Sequence, residues 1–182
     1  MRIISGLWRG RALLSPSGET TRPTSDRARE GLFSMLASRV GSFEGLHVAD
    51  LFAGTGALGL EALSRGAAHC TFVEKDRDAL DILKRNIAKM GAAAQTDVRA
   101  QSVEHARPPA QPCDLVFMDP PYETGLGHKA LDRVASEGWL APGAWISIEL
   151  HREDISVPEG LSVEVQRRFG KATIILLRRL PI

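Results

Sequence analysis

Apolar residues recur along this chain in two different periods, and the change of period marks out its elements. Ala28, Leu32, Met35, Leu36 and Val40 fall at i, i+4, i+7, i+8 and i+12, one apolar face of a helix. Pro23-Thr24-Ser25-Asp26 opens that helix with a capping residue type. After residue 45 the pattern changes to short, nearly continuous apolar runs that alternate with helical ones. The runs predict strands at 47–52, 69–74, 97–101, 114–118, 145–150, 161–169 and 172–179, and helices at 58–65, 76–90 and 127–137. Leu80, Leu83, Ile87 and Met90 make the buried stripe of the 76–90 helix, with Asp76 as its N-cap. Gly66 and Gly91 stand where left-handed glycines end helices.

Apolar strands alternating with helices predict an α/β fold, with a mostly parallel seven-stranded sheet covered on both faces. The last two strands are separated only by Gly170-Lys171, so they are expected as an antiparallel hairpin at one edge. Arg2-Ile3-Ile4, Gly6 and the stretch 7–14 predict a small N-terminal hairpin, followed by a turn-rich loop over 15–23. Arg107-Pro108-Pro109-Ala110-Gln111-Pro112 reads as a stiff connector. At 182 residues one domain is expected: 1–23 as hairpin extension and loop, 24–182 as core.

A formal net charge of +1 gives no sign of a polyanion partner, but its distribution does. Residues 1–30 carry a local balance of +3 and residues 160–182 one of +4, with the middle acidic to neutral. Both basic ends permit a nucleic-acid partner, although on charge alone simply solvated arginines explain them better. Cys70 and Cys113 sit in apolar strand-like runs without metal-ligand spacing, as buried free thiols do. Residues 1–11 are interrupted by Arg, so no signal peptide is expected. No apolar run approaches the roughly 20 residues of a membrane helix, and the expectation is a cytoplasmic protein away from membranes.

Two motifs carry chemistry. The strand at 114–118 ends in Asp119-Pro120-Pro121-Tyr122. The prolines cannot continue a ladder, so they hold an acid and a ring rigidly at the carboxyl end of the strand, where open α/β sheets bind ligands. A fixed carboxylate beside a flat ring suits a planar substrate bearing an NH2 group. The second motif is Asp50-Leu51-Phe52-Ala53-Gly54-Thr55-Gly56-Ala57-Leu58-Gly59. Its glycines allow a tight turn and close backbone approach to a ligand. Gly54 to Gly59 also fits the dinucleotide fingerprint, and Glu74 lies 20 residues after Gly54, where a ribose-binding acid stands. A nicotinamide enzyme is therefore a rival reading. Against it, a carboxylate at Asp50 disfavours pyrophosphate and suits the ammonium and sulfonium of S-adenosylmethionine. The Asp-Pro-Pro-Tyr motif also has no role in hydride transfer.

With these residues the chain resembles class I S-adenosylmethionine-dependent methyltransferases. More narrowly, it resembles the bacterial family that methylates the 2-amino group of a guanine in small-subunit (16S) ribosomal RNA. The narrower likeness is carried by Arg2 to Gly6, Arg9-Gly10-Arg11, Arg22 to Glu30, Asp50 to Ala67, Phe72-Val73-Glu74 and Asp119 to Tyr122. The resemblance implies a Rossmann-like fold and S-adenosylmethionine as cofactor. It implies that Asp50 and the backbone of Phe52, Ala53, Gly54, Thr55 and Gly56 hold the methionine part, Glu74 the ribose and Gln101 the adenine edge. Asp119, Pro120, Pro121 and Tyr122 would hold the target base catalytically. Arg9, Arg11, Arg22, Thr24 and Arg27 would touch RNA or cofactor. No metal is expected, and the expected state is a monomer acting on ribosomal RNA, free or in an assembled small subunit or precursor.

Alternatives of other classes are an amine methyltransferase acting on DNA adenine or cytosine or on a protein amide, and a non-catalytic nucleotide- or RNA-binding module. Trp8 is expected either on RNA or packed on the domain. The five histidines show no cluster, and Glu149, expected to end the fifth strand beside the cleft, reads as structural.

Overall fold

The computed structural model describes residues 1–16, 23–121, 124–151 and 154–181. Four helices, α1 (Pro23–Val40), α2 (Ala57–Ser64), α3 (Arg77–Met90) and α4 (Leu126–Ser136), flank seven strands. The strands are β1 (His47–Leu51), β2 (His69–Glu74), β3 (Thr96–Ala100), β4 (Cys113–Met118), β5 (Leu140–Leu150), β6 (Leu161–Phe169) and β7 (Ala172–Arg179). They form one sheet in the order β3-β2-β1-β4-β5-β7-β6. The first five run parallel, and β7 is antiparallel to both β5 and β6. The chain moves outward from β1 to β3 and then crosses back to β4, so a crevice opens at the carboxyl ends of β1 and β4.

Burial explains why these segments are strands. In β1, β2 and β4 nearly every residue is buried, as expected for a sheet covered on both faces. Edge strand β6 alternates toward solvent instead. The Asp76 side chain caps α3 by accepting from the Ala79 N–H at 2.9 Å, and Gly91 ends the helix in the left-handed region. Gly59 lets α2 lie close on β2, because an added Cβ would stand 2.4 Å from the Phe72 ring. Cys70 and Cys113 are buried free thiols. Among the described residues no helix is long and apolar enough to cross a membrane.

Three expectations need correction. β5 begins at Leu140, five residues before the predicted start. Pro142-Gly143 hides the extension, and the register shift against β4 between Cys113 and Leu115 accommodates it. The N-terminal hairpin is reduced to a single antiparallel bridge between Arg2 and Ala12. Its arms are too short for a ladder, and the segment is held by the helices beneath it. Finally, His47 and His69 are not isolated: the β1–β2 register places them side by side, with ring centroids 5.8 Å apart.

Glu61 is the main anchor of the N-terminal segment. Wholly buried on α2, it accepts from the N–H groups of Ile4 (2.9 Å) and Ser5 (3.1 Å) and from Arg65 Nε (2.9 Å). Arg29 Nε lies 3.7 Å away, and the Arg29 guanidinium also donates to the Arg2 carbonyl. Ser64 adds bonds to Trp8 N–H and the Ser5 carbonyl, and Trp8 packs into the core, 7% exposed. Asn86 on α3 accepts from Leu14 N–H and donates to the carbonyls of Leu14 and Thr55. Removing the Glu61 carboxylate would leave Arg65 Nε and two backbone donors without their acceptor, and buried Arg29 without the charge 3.7 Å from its Nε. Glu61→Ala is therefore expected to cost about 3–5 kcal/mol, read as a fall in the urea midpoint at unchanged slope.

Candidate active site

Two cavities meet at the crevice. The first, of about 300 Å³, lies over the ends of β2 and β3 and against α4. Its walls include Phe52, Val73, Val103 and Ala130, with Glu74, Gln101, Ser102 and Glu104 at the polar edges and Pro120 and Pro121 closing one side. The second, of about 270 Å³, lies between α1 and the ends of β1, β4, β5 and β7. Asp50, Gly54, Thr55, Ser147, Glu149 and Ile174 line it, together with Ala28, Arg29 and Leu32 of α1. Phe52 and Asp119 belong to both and form the partition.

The turn after β1 is built for close approach. Phe52 adopts φ 59°, a left-handed conformation that costs a non-glycine residue of order 1 kcal/mol and persists where the surroundings impose it. The Ala53 N–H donates to the Val73 carbonyl at 3.0 Å, tying the turn to β2. A Cβ added to Gly54 would meet no protein atom within 4 Å, so this backbone faces open cavity. Gly56 cannot be replaced so freely, because an added Cβ would stand 2.4 Å from Leu83.

Glu74 uses both carboxylate oxygens to order the site: Oε1 accepts from Gly54 N–H (2.7 Å) and Oε2 from Asp76 N–H (2.8 Å). Asp50, 1% exposed, accepts from the Gly59 N–H at 2.9 Å. It thus takes a donor that an anion at the start of α2 would need, which weighs against the pyrophosphate of a dinucleotide. Burial pushes the Asp50 carboxyl up to about 8; the Gly59 bond opposes this and the Glu74 charge adds to it.

Asp119 borders both cavities and its residue is exposed at their partition. Desolvation holds its carboxyl well above the carboxylate range, and a side-chain hydrogen bond with Glu149 and the charges of Glu149 and Asp50 act in the same sense. Pro120 is buried against Gly127, where an added Cβ would stand 2.8 Å from its ring. α4 is clamped over the first cavity by Arg133, which donates to the carbonyls of Val103 (2.7 Å) and Ala106 (2.9 Å) and pairs with Glu137.

The crevice therefore gathers Asp50, Phe52, Ala53, Gly54, Thr55, Glu74, Gln101, Asp119, Pro120 and Pro121. Gly56 stays behind the wall as a turn former. Tyr122, Arg22 and the Thr24 side chain lie outside the described residues. Arg9 and Arg11 are exposed away from the cavities, with Arg11 donating to the Lys89 carbonyl at 2.9 Å. Arg27 is exposed one turn before Gly31, whose added Cβ would touch the Phe169 ring at 2.7 Å. That contact sets the start of α1 beside the β6–β7 turn and its exposed Arg167, Arg168 and Lys171. Ser102 and Ser147 were missed, and Glu149 is part of the cavity wall; strand alternation past Ile148 was the one signal for it.

A family model described as Conserved hypothetical protein 95 matches residues 1–178. Ribosomal RNA small subunit methyltransferase D of Escherichia coli (strain K12) is 38% identical over 181 residues, 98% of this chain and 90% of that protein. The Haemophilus influenzae protein of the same name is 36% identical over 93% of this chain and 89% of its own length. The solved structure of yhhF from Escherichia coli, a methyltransferase candidate by its description, superposes with a TM-score of 0.86 at 35% identity, covering 100% of this chain and 99% of that one. On fold, length and sequence alike, the chain belongs to the family described as Conserved hypothetical protein 95 and is a relative of the ribosomal RNA small subunit methyltransferases D.

Proposed function

We propose that this protein transfers a methyl group from S-adenosylmethionine to the exocyclic 2-amino group of a guanine in small-subunit ribosomal RNA. The observation that carries the reading is Asp119, a carboxyl on the partition between a cavity whose walls suit a nucleoside and a second one that opens beside α1.

The residues present fit the cofactor. Val73 and Val103 offer apolar walls to a planar adenine, with Gln101 at its edge and Glu74 at the ribose. Asp50, buried without a cation within its own chain's hydrogen bonds, is matched to an ammonium or sulfonium. Gly54 leaves room where a side chain would block the methionine portion. When bound, the cofactor supplies a methyl on sulfonium: the nitrogen lone pair takes the carbon, the C–S bond breaks with its electrons left on sulfur, and nitrogen then loses a proton to solvent.

The chain's own residues supply alignment and charge. A guanine amine is a poor nucleophile because its lone pair is delocalised into the ring. Asp119 and the Pro120 carbonyl accept the two amine hydrogens, localise that lone pair and stabilise the positive charge developing on nitrogen. The two prolines keep both acceptors fixed, which an in-line displacement requires. Tyr122 stacks on the base, which is turned out of its helix or loop to enter. RNA approaches over Arg27 and the β6–β7 turn, the side on which Ala28, Leu32 and Ile174 border the second cavity. We read residues 1–182 as one working unit, monomeric and cytoplasmic, acting on RNA or on an assembling subunit.

The test is methyl transfer from isotope-labelled S-adenosylmethionine to small subunits from a strain lacking the protein, to transfer RNA and to DNA. Labelled 2-methylguanosine from the subunits alone is expected. Label in DNA or in another nucleoside would overturn the substrate assignment, and absence of cofactor binding would overturn the chemistry.

A further inference from the structure

Bases that carry an exocyclic amine differ at the adjacent ring nitrogen. Guanine has an N1–H donor there, whereas adenine, cytosine and 2-aminopurine have a lone pair. A site that methylates guanine alone needs an acceptor aimed at N1, and Asp119 with the Pro120 carbonyl is already committed to the amine.

Glu149 is the acceptor within reach. β4 and β5 are parallel neighbours whose register pairs Met118 with Ile148. The next residue on each, Asp119 and Glu149, therefore stands side by side at the roughly 4.8 Å spacing of adjacent strands. Their side chains are hydrogen-bonded to one another, and both line the second cavity above Ser147. Beside this second acid the Asp119 carboxyl is pushed toward holding its proton until other donors arrive. No arginine or lysine joins that pair among its described hydrogen bonds, so its lone pairs are available to a ligand that brings N–H groups.

We propose that Glu149 selects guanine: resting on the reaction proposed above, its carboxylate accepts the N1–H while Asp119 and the Pro120 carbonyl accept the amine hydrogens. Three donors on the base edge meet three acceptors on the protein, and the proton that Asp119 holds leaves to solvent as the base enters. A base with a lone pair at this position faces a carboxylate with nothing to donate, and sites of this kind reject such analogues strongly.

The experiment compares small-subunit particles assembled on RNA carrying guanine or 2-aminopurine at the methylated position. 2-Aminopurine keeps the amine and replaces N1–H with a lone pair. The wild type is expected to favour guanine by about 100-fold or more in kcat/KM. Glu149→Gln should lower the guanine rate by about 30- to 300-fold and shrink the preference to within about 10-fold, because the glutamine amide can turn its N–H to that lone pair. Cofactor affinity should fall far less than the guanine rate, since the described hydrogen bonds of Asp50 and Glu74 go to Gly59, Gly54 and Asp76 and not to Glu149. Glu149→Asp, which keeps the charge and withdraws it by one methylene, should lose guanine rate while retaining the preference. Equal losses on both substrates in Glu149→Gln, or no loss on guanine, would overturn the assignment. No transfer by the wild type to the guanine particle would instead overturn the reaction on which it rests, and the assignment with it.

Discussion

Asp119→Ala is expected to lower kcat for methyl transfer by about 10³-fold while leaving cofactor affinity within about threefold. The effect is placed on kcat because the interaction strengthens only as positive charge develops on the amine. In the ground state that nitrogen is nearly neutral, and the carboxylate gains little from it. In the transition state the same acceptor faces a forming ammonium, and an acceptor already fixed in place needs no reorganisation to stabilise it. Truncation also frees Glu149, which loses its hydrogen-bond partner and a neighbouring charge. A variant that kept more than a tenth of the wild-type rate in single-turnover assays would show that Asp119 is not the amine acceptor. The conservative Asp119→Asn retains one acceptor oxygen and should lose less than alanine does.

Asp50→Asn is expected to weaken cofactor binding by about 30- to 100-fold at pH 8 and to change the sign of a stability effect at high pH. Burial raises the Asp50 carboxyl from 3.8 to about 8, so the free folded protein holds it neutral at pH 7. A cationic ligand favours the ionised form, and binding must then release a proton. Affinity in the wild type should rise with pH up to about 8 and level off, whereas the asparagine variant should show no such rise from this group. Calorimetry in buffers of different ionisation enthalpy reads the released proton directly. For stability the direction is reversed. An acid with a raised folded pKa contributes fully below its unfolded value and loses that contribution as pH climbs from about 4 to about 8. Asparagine keeps an acceptor for the Gly59 N–H and never ionises. At pH 9 the variant should therefore unfold later than the wild type, by about 3–5 kcal/mol as an upper bound. Identical melting of the two proteins at pH 9 would place Asp50 in a wetter setting than its 1% exposure implies.

Those two acids were legible before any coordinates, and the reason is local. Asp50 and Asp119 each stand at or near the carboxyl end of a buried strand, the one shortly before a glycine turn and the other directly before two prolines. The central strands were equally plain because β1, β2 and β4 are buried on both faces and so carry unbroken apolar runs. β3 gave up its position mostly through its neighbours, since its residues are half-buried and its composition is polar. What sequence could not supply is the meeting of distant residues. Glu149 ends an Ile-Ser-Ile-Glu alternation that any buried strand could show, and only the adjacency of β4 and β5 brings it to Asp119. Glu61 in Leu60-Glu61-Ala62 looks like a solvated helix position; its burial follows from the return of residues 4 and 5, which no periodicity encodes. Asn86 likewise sits on the buried stripe of α3 as an interruption until its partners Leu14 and Thr55 are known.

That anchoring has a consequence for the order in which the molecule can be assembled during its own synthesis. Residues 1–14 leave the ribosome well before their partners, which come 57, 56, 72 and 78 positions later, at Glu61, Glu61, Asn86 and Lys89. Local helices can form as they emerge, but these bonds must wait for loop closures of that length. A segment made before its partners is thus among the later ones to be fastened. It closes over α2 and α3 once both are in place, bringing Met1, Arg29 and Asp50 to the border of one cavity.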